Sequence, residues 1–139
     1  QELRFALESQ ALRYAVQRQK LKLTQQLYQI LIDMKENCSP ENREKYLELD
    51  TSFHQSFFCC AQSRFLYHHY ANIKAIIETL RHYISRTDEA TENSYEDHKK
   101  ITEFLINNDL ESALGQLEAH IVKWSKRSNL SANLSKVMR

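Results

Sequence analysis

The chain has one glycine, Gly115, and one proline, Pro40, in 139 residues. Tight β-hairpins depend on Gly, Asn-Gly or Asp-Gly where φ is positive, and Pro presets the first corner of the common turns. Those residues are nearly absent here, while Leu, Gln, Lys, Glu and Ala abound. A sheet would have too few corners, and helices are favoured throughout. The fold class is therefore all-α. The length suits one domain of ordinary size with a real hydrophobic core.

Apolar periodicity divides the chain into six helices. The first, over residues 2–18, places Leu3, Leu7, Ala11, Tyr14, Ala15 and Arg18 on one face, with Glu2, Glu8, Gln10 and Arg13 largely off it. Arg4 stands one turn before Glu8, the spacing of a surface ion pair. The second helix, residues 21–34, presents Leu21, Leu23, Leu27, Tyr28, Leu31, Ile32 and Met34, and ends at Asn37-Cys38. Ser39 and Pro40 then open a third helix over 40–61, as N-cap and first helical residue, with Glu41 in the first turn where the helix dipole favours it.

Ser63 caps a fourth helix that carries Phe65, Leu66, Tyr70, Ile73, Ile76, Ile77, Leu80 and Ile84. Its His68, His69 and His82 do not share a face and read as residues of the surface or as supports behind a site, not as a ligand group. The polar run 85–94 reads as a loop, followed by a fifth helix over 94–107 with His98, Ile101, Phe104 and Leu105 near its inner face. Asp109 caps the last helix, whose stripe is Leu110, Ala113, Leu114, Leu117, His120, Ile121 and Trp124. A mid-helix glycine costs about 1 kcal/mol, so Gly115 predicts a close helix contact. Beyond Lys126 the pattern weakens.

Charge and cysteine content narrow the function classes. Lys plus Arg number 19 against 18 for Asp plus Glu, so the segment has no overall positive field to hold nucleic acid unaided. Cys38, Cys59 and Cys60 are odd in number, and the last two are neighbours whose side chains diverge on a helix; they read as reduced thiols of a cytosolic protein. No apolar run approaches the roughly 18 residues of a membrane span. The chain opens without Met in the middle of a periodic pattern, as a piece of a longer protein would.

The chemistry concentrates at Glu48-Leu49-Asp50-Thr51-Ser52-Phe53-His54. On a helix Asp50 and His54 lie one turn apart on one face, so a carboxylate oxygen and an imidazole nitrogen reach the same spot. Tyr46, Leu47, Phe53, Phe57 and Phe58 share that face. An Asp among aromatics is costly unless paired or bound to a cation, which predicts a polar pocket inside the bundle. His98 and His120, on later helices, can each add one nitrogen. One carboxylate and three imidazoles suit a divalent transition metal, with zinc, nickel and manganese all compatible.

These residues, in this order, resemble a known family. Glu2-Leu3-Arg4-Phe5-Ala6-Leu7-Glu8, Leu49-Asp50-Thr51-Ser52-Phe53-His54, Asp97-His98-Lys99-Lys100-Ile101 and Asp109-Leu110-Glu111-Ser112-Ala113 through His120-Ile121 are similar to the FCD domain. This is the effector-binding C-terminal domain of FadR-type GntR bacterial transcription regulators. The resemblance covers nearly all of the chain, and its specific part is Asp-x-x-x-His followed by two His 22 positions apart. Two departures, Asp97 for the common Glu and Ser63 for the common Asn, remove no ligand.

The resemblance implies an antiparallel helical bundle, with residues 1–139 as a single effector-binding domain and the N-terminal winged helix-turn-helix outside it. It implies a cytoplasmic homodimer that touches DNA only through that other domain, has no membrane part and is not an enzyme. Its effector would be a small organic acid at a metal, zinc foremost, held by Asp50, His54, His98 and His120, with Arg4 as an effector-binding residue. The alternative is a helical-bundle metalloenzyme acting on a small carboxylate. Against it, the Glu-x-x-His pairs of di-iron bundles are missing from the sequence, as is any nucleophile motif.

Overall fold

A computed structural model describes residues 2–84 and 88–128, with side chains described for 2–80 and 91–123. Among the described residues there are five α-helices and one short 3-10 helix, with no strand. The helices are α1 (Glu2–Glu36), α2 (Arg43–Ala61), α3 (Arg64–Ile84), α4 (Asp88–Ile106) and α5 (Leu110–Ser128), with the 3-10 turn at Pro40–Asn42 before α2. Short turns join α1 to α2, α2 to α3 and α4 to α5, which makes these pairs antiparallel neighbours. α1 packs along α2 most extensively and also meets α3, α4 and α5.

Two of the six expected helices are one. Residues 2–36 run as α1 with a break only at Gln19, where φ is −147° and ψ is 49°. No Gly or Pro falls in this stretch, so nothing forces a loop there. The break follows Arg18, whose Nη1 donates to the Ala61 carbonyl at 2.7 Å and so fastens α1 to the end of α2.

The inner face of α1 also differs from the expectation. Arg4, Glu8, Ala11, Leu12 and Ala15 are buried in its first half and Leu23, Leu27, Leu31 and Met34 in its second, whereas Leu3, Leu21, Tyr28 and Ile32 are exposed. The buried positions 4, 8, 11 and 15 keep a helical period, and the residues with charge on that face are held by partners described below.

The expected stripe of α2 is buried throughout: Tyr46, Leu47, Asp50, Phe53, His54, Phe57 and Phe58. At Ser39 the backbone is extended as an N-cap requires, but its hydroxyl makes no cap bond and instead accepts from Asn42 Nδ2 at 3.1 Å. Ser63 does cap α3, with its Oγ accepting from Leu66 N at 3.3 Å. On α3, Tyr70 and Ile77 are buried while Phe65 and Ile76 stay exposed, and His68 and His69 lie on the surface. The side chains of His82, Ile84 and Trp124 lie outside the described residues.

Of the expected loop over 85–94, residues 88–94 are helix, since α4 begins at Asp88, while 85–87 lie outside the described residues. Its residues are polar without being helix breakers, and Thr91 and Ser94 turn inward. The α4–α5 corner is a Schellman turn: Asn108 takes φ 59°, Asp109 N donates to Phe104 O at 2.8 Å and Asn108 N donates to Leu105 O at 3.1 Å. Asp109 then caps α5 by accepting from Ser112 N at 3.1 Å. Gly115 makes no close helix contact; it is exposed, and a Cβ added there would meet nothing within 4 Å.

Candidate metal and effector site

Asp50 and His54 come from one face of α2, His98 from the middle of α4 and His120 from α5. All four are 0–1 % exposed, and one donor atom of each lies within 4.8 Å of those of the others. His54 Nε2 is 3.1 Å from His98 Nε2 and 3.3 Å from Asp50 Oδ1, and His98 Nε2 is 3.1 Å from the same oxygen. Neighbouring donors on a six-coordinate ion with bonds of about 2.1 Å sit about 3.0 Å apart. These three therefore have nearly the spacing of one octahedral face.

The proton positions follow from the outer partners. Glu8 Oε1 hydrogen-bonds His54 Nδ1, and Asp97 Oδ2 lies 2.9 Å from His120 Nδ1. Burial pushes the Glu8 carboxyl up, but Arg4 and His54 together hold it well below the usual range. Burial likewise opposes ionisation of Asp97, and its bonds to His120 and Lys123 outweigh that. Two ionised carboxylates can only accept, so both imidazoles carry a proton on Nδ1 and turn Nε2 toward the centre. His98 Nδ1 faces the Ser94 hydroxyl at 3.3 Å. Carboxylates behind metal-ligating imidazoles fix the tautomer and raise basicity in this way.

The centre is electron-rich. Imidazole lone pairs and a carboxylate converge where only a cation or a proton on His98 reconciles them. Burial together with the neighbouring His98 and His54 lowers the pKa of His120 to about 3, although Asp97 pulls the other way. These residues fit a divalent metal with mixed nitrogen and oxygen ligands. Phe53 packs edge-on against His98 with centroids 4.3 Å apart and walls the centre from α2.

Arg4 is buried rather than a surface partner. Its Nε donates to Glu8 Oε2 at 2.6 Å, and Glu8 is wholly buried. The guanidinium stays charged because Glu8 and Asp50 outweigh the penalty of burial. Its Nη2 is buried without a hydrogen-bond partner among the described residues. Glu8, Ser94 and Asp97 are the partners that sequence reasoning did not place at the site. For Glu8 the spacing of four from Arg4 signals an ion pair but not burial, because its other partner, His54, is remote in sequence.

A bundle of helices around a buried Asp and three His defines a class: an all-α module whose core carries a group of side chains that could hold a cation. The FCD domain model matches residues 1–123, and the chain belongs to that family. The fold is also that of a solved structure, the metal-free FCD domain of TM0439, described as a proposed transcriptional regulator. The match has a TM-score of 0.77 and 21% identity, and covers 94% of this chain and 91% of that one. Comparison with curated proteins returns no match.

Proposed function

We propose that this chain is the effector-sensing domain of a GntR-type transcription regulator. It takes a small organic acid at a divalent metal, zinc foremost, held by Asp50, His54, His98 and His120. DNA contact belongs to a separate N-terminal winged helix-turn-helix. The observation that carries the reading is the trio of 3.1–3.3 Å separations among Asp50, His54 and His98 inside a closed core. Family membership and the likeness to a domain of a proposed regulator support the regulatory part.

Charge arithmetic favours an anionic effector. A divalent ion with one carboxylate and three neutral imidazoles keeps a net positive charge, and the flanking pairs Arg4–Glu8 and Lys123–Asp97 each cancel. Burying that charge is unfavourable unless an anion completes it. The bound metal would supply Lewis acidity and the attraction for a carboxylate. Arg4 Nη2, a buried donor in want of an acceptor, supports Arg4 as the second anchor.

The exposed Leu21, Tyr28 and Ile32 on α1 and Phe65 and Ile76 on α3 support a homodimer. No described helix is long and apolar enough to cross a membrane, in keeping with a cytoplasmic regulator. Calorimetry with sugar acids, hydroxy acids and dicarboxylates on the zinc-loaded and chelated protein tests the reading. Acid binding that requires zinc supports it, and acid that binds equally without zinc contradicts it. Turnover of the acid would favour a metalloenzyme.

A further inference from the structure

The three imidazoles are braced from different places. Ser94 reaches His98 within α4, Asp97 reaches His120 across α4 and α5, and Glu8 reaches His54 across α1 and α2. Glu8 is thus the side chain through which α1 holds an imidazole of the centre. We propose that Glu8, braced by Arg4, is a positioning residue for His54, so that metal binding and docking of the N-terminal half of α1 are one coupled equilibrium.

Three observations carry this. Glu8 is fully buried, and its two oxygens are divided between His54 Nδ1 and Arg4 Nε, which fixes the carboxylate in place. A carboxylate on Nδ1 orients the ring and raises the basicity of Nε2 toward a metal. The backbone of α1 is broken at Gln19, so residues 2–18, which carry both Arg4 and Glu8, are a helical segment distinct from residues 20–36, with a hinge position between the two. Finally, the four donors are 0–1 % exposed, so an ion reaches them only when some part of the bundle moves. An ion that binds the docked arrangement more tightly draws α1 into it, and docking in turn tightens the ion.

The inference rests on the metal reading above, and the test separates the two. Zinc affinity is measured by competition with a chromophoric chelator at neutral pH for the wild type, for Glu8→Gln and for the exposed control Glu118→Gln. Amide hydrogen exchange is followed in the wild type with and without zinc, and the His54 tautomer is read by nitrogen NMR in the metal-free protein. Glu8→Gln should weaken zinc about ten- to a hundred-fold with the control unchanged. Zinc should slow exchange over 2–18 more than over 20–36, and the Nδ1–H preference of His54 should be lost in Glu8→Gln. A merely structural role would lower the melting temperature without moving the tautomer. Zinc binding within about two-fold of wild type in Glu8→Gln overturns the inference alone. So does unchanged exchange over 2–18 in the wild type, a result that stands even if the variant fails to fold. A wild type that binds no zinc overturns the metal reading and this inference with it.

Discussion

Asp97 Oδ2 and His120 Nδ1 meet at 2.9 Å, tying α4 to α5 and deciding which imidazole nitrogen faces the centre. The same burial that makes the contact strong keeps His120 neutral, with its pKa lowered to about 3. In the unfolded chain that imidazole titrates near 6.5. Above that pH it is neutral in both states and contributes nothing to the pH dependence. As pH falls through about 6.5 toward about 3, the unfolded chain takes up a proton that the folded one refuses, so stability falls. The loss from His120 alone should reach about 2 kcal/mol at pH 5. Glu8 and Asp97, both held below the usual carboxylate range, add further loss in more acid solution. Urea midpoints of the metal-stripped protein across this range check it; a midpoint unchanged between neutral pH and pH 5 would refute a buried neutral His120.

Much of this was legible in the residues. Helical period alone turned Asp50 and His54 toward the aromatics of α2, and the order of Asp, His, His and His linked them to distant His98 and His120. Glu8 was not legible as a buried group, because a carboxylate reads as solvent-facing unless its partner is known. That partner, His54, lies 46 residues away. The start of α4 was missed for a related reason: Thr91 and Ser94 look like loop residues, yet Tyr46 Oη donates to the Thr91 carbonyl at 3.1 Å inside the bundle. The join of α1 was hidden because a break at Gln19 leaves the apolar pattern out of phase without ending the helix.

Arg4→Ala should abolish most acid binding while weakening zinc less than Glu8→Gln does, since Glu8 loses its brace but keeps its bond to His54. It also removes the cation from a buried ion pair, which should destabilise the domain by about 3 kcal/mol. Calorimetry beside chemical denaturation reads both; full acid affinity in the variant would remove Arg4 from the effector site.

His98→Ala should weaken zinc and acid together. One of three imidazoles is lost, and with it a nitrogen 3.1 Å from both Asp50 Oδ1 and His54 Nε2. A zinc titration and an acid titration of the same preparation check this. Loss of one without the other would break the link between metal and effector.

Gly115→Ala should raise stability by about 0.5–1 kcal/mol, because the helix gains a better former where an added Cβ meets nothing. Thermal unfolding decides it. A destabilised variant would mean that the exposed side of α5 packs against something, such as a second copy.

If Asp50, His54, His98 and His120 hold one metal ion between them, anomalous scattering from a zinc-loaded crystal will show it. A single strong peak is expected inside the bundle, about 2.0–2.2 Å from an Asp50 oxygen and from the Nε2 atoms of the three histidines. Zinc found only at surface residues such as His68 and His69, with no peak among the four, would contradict it.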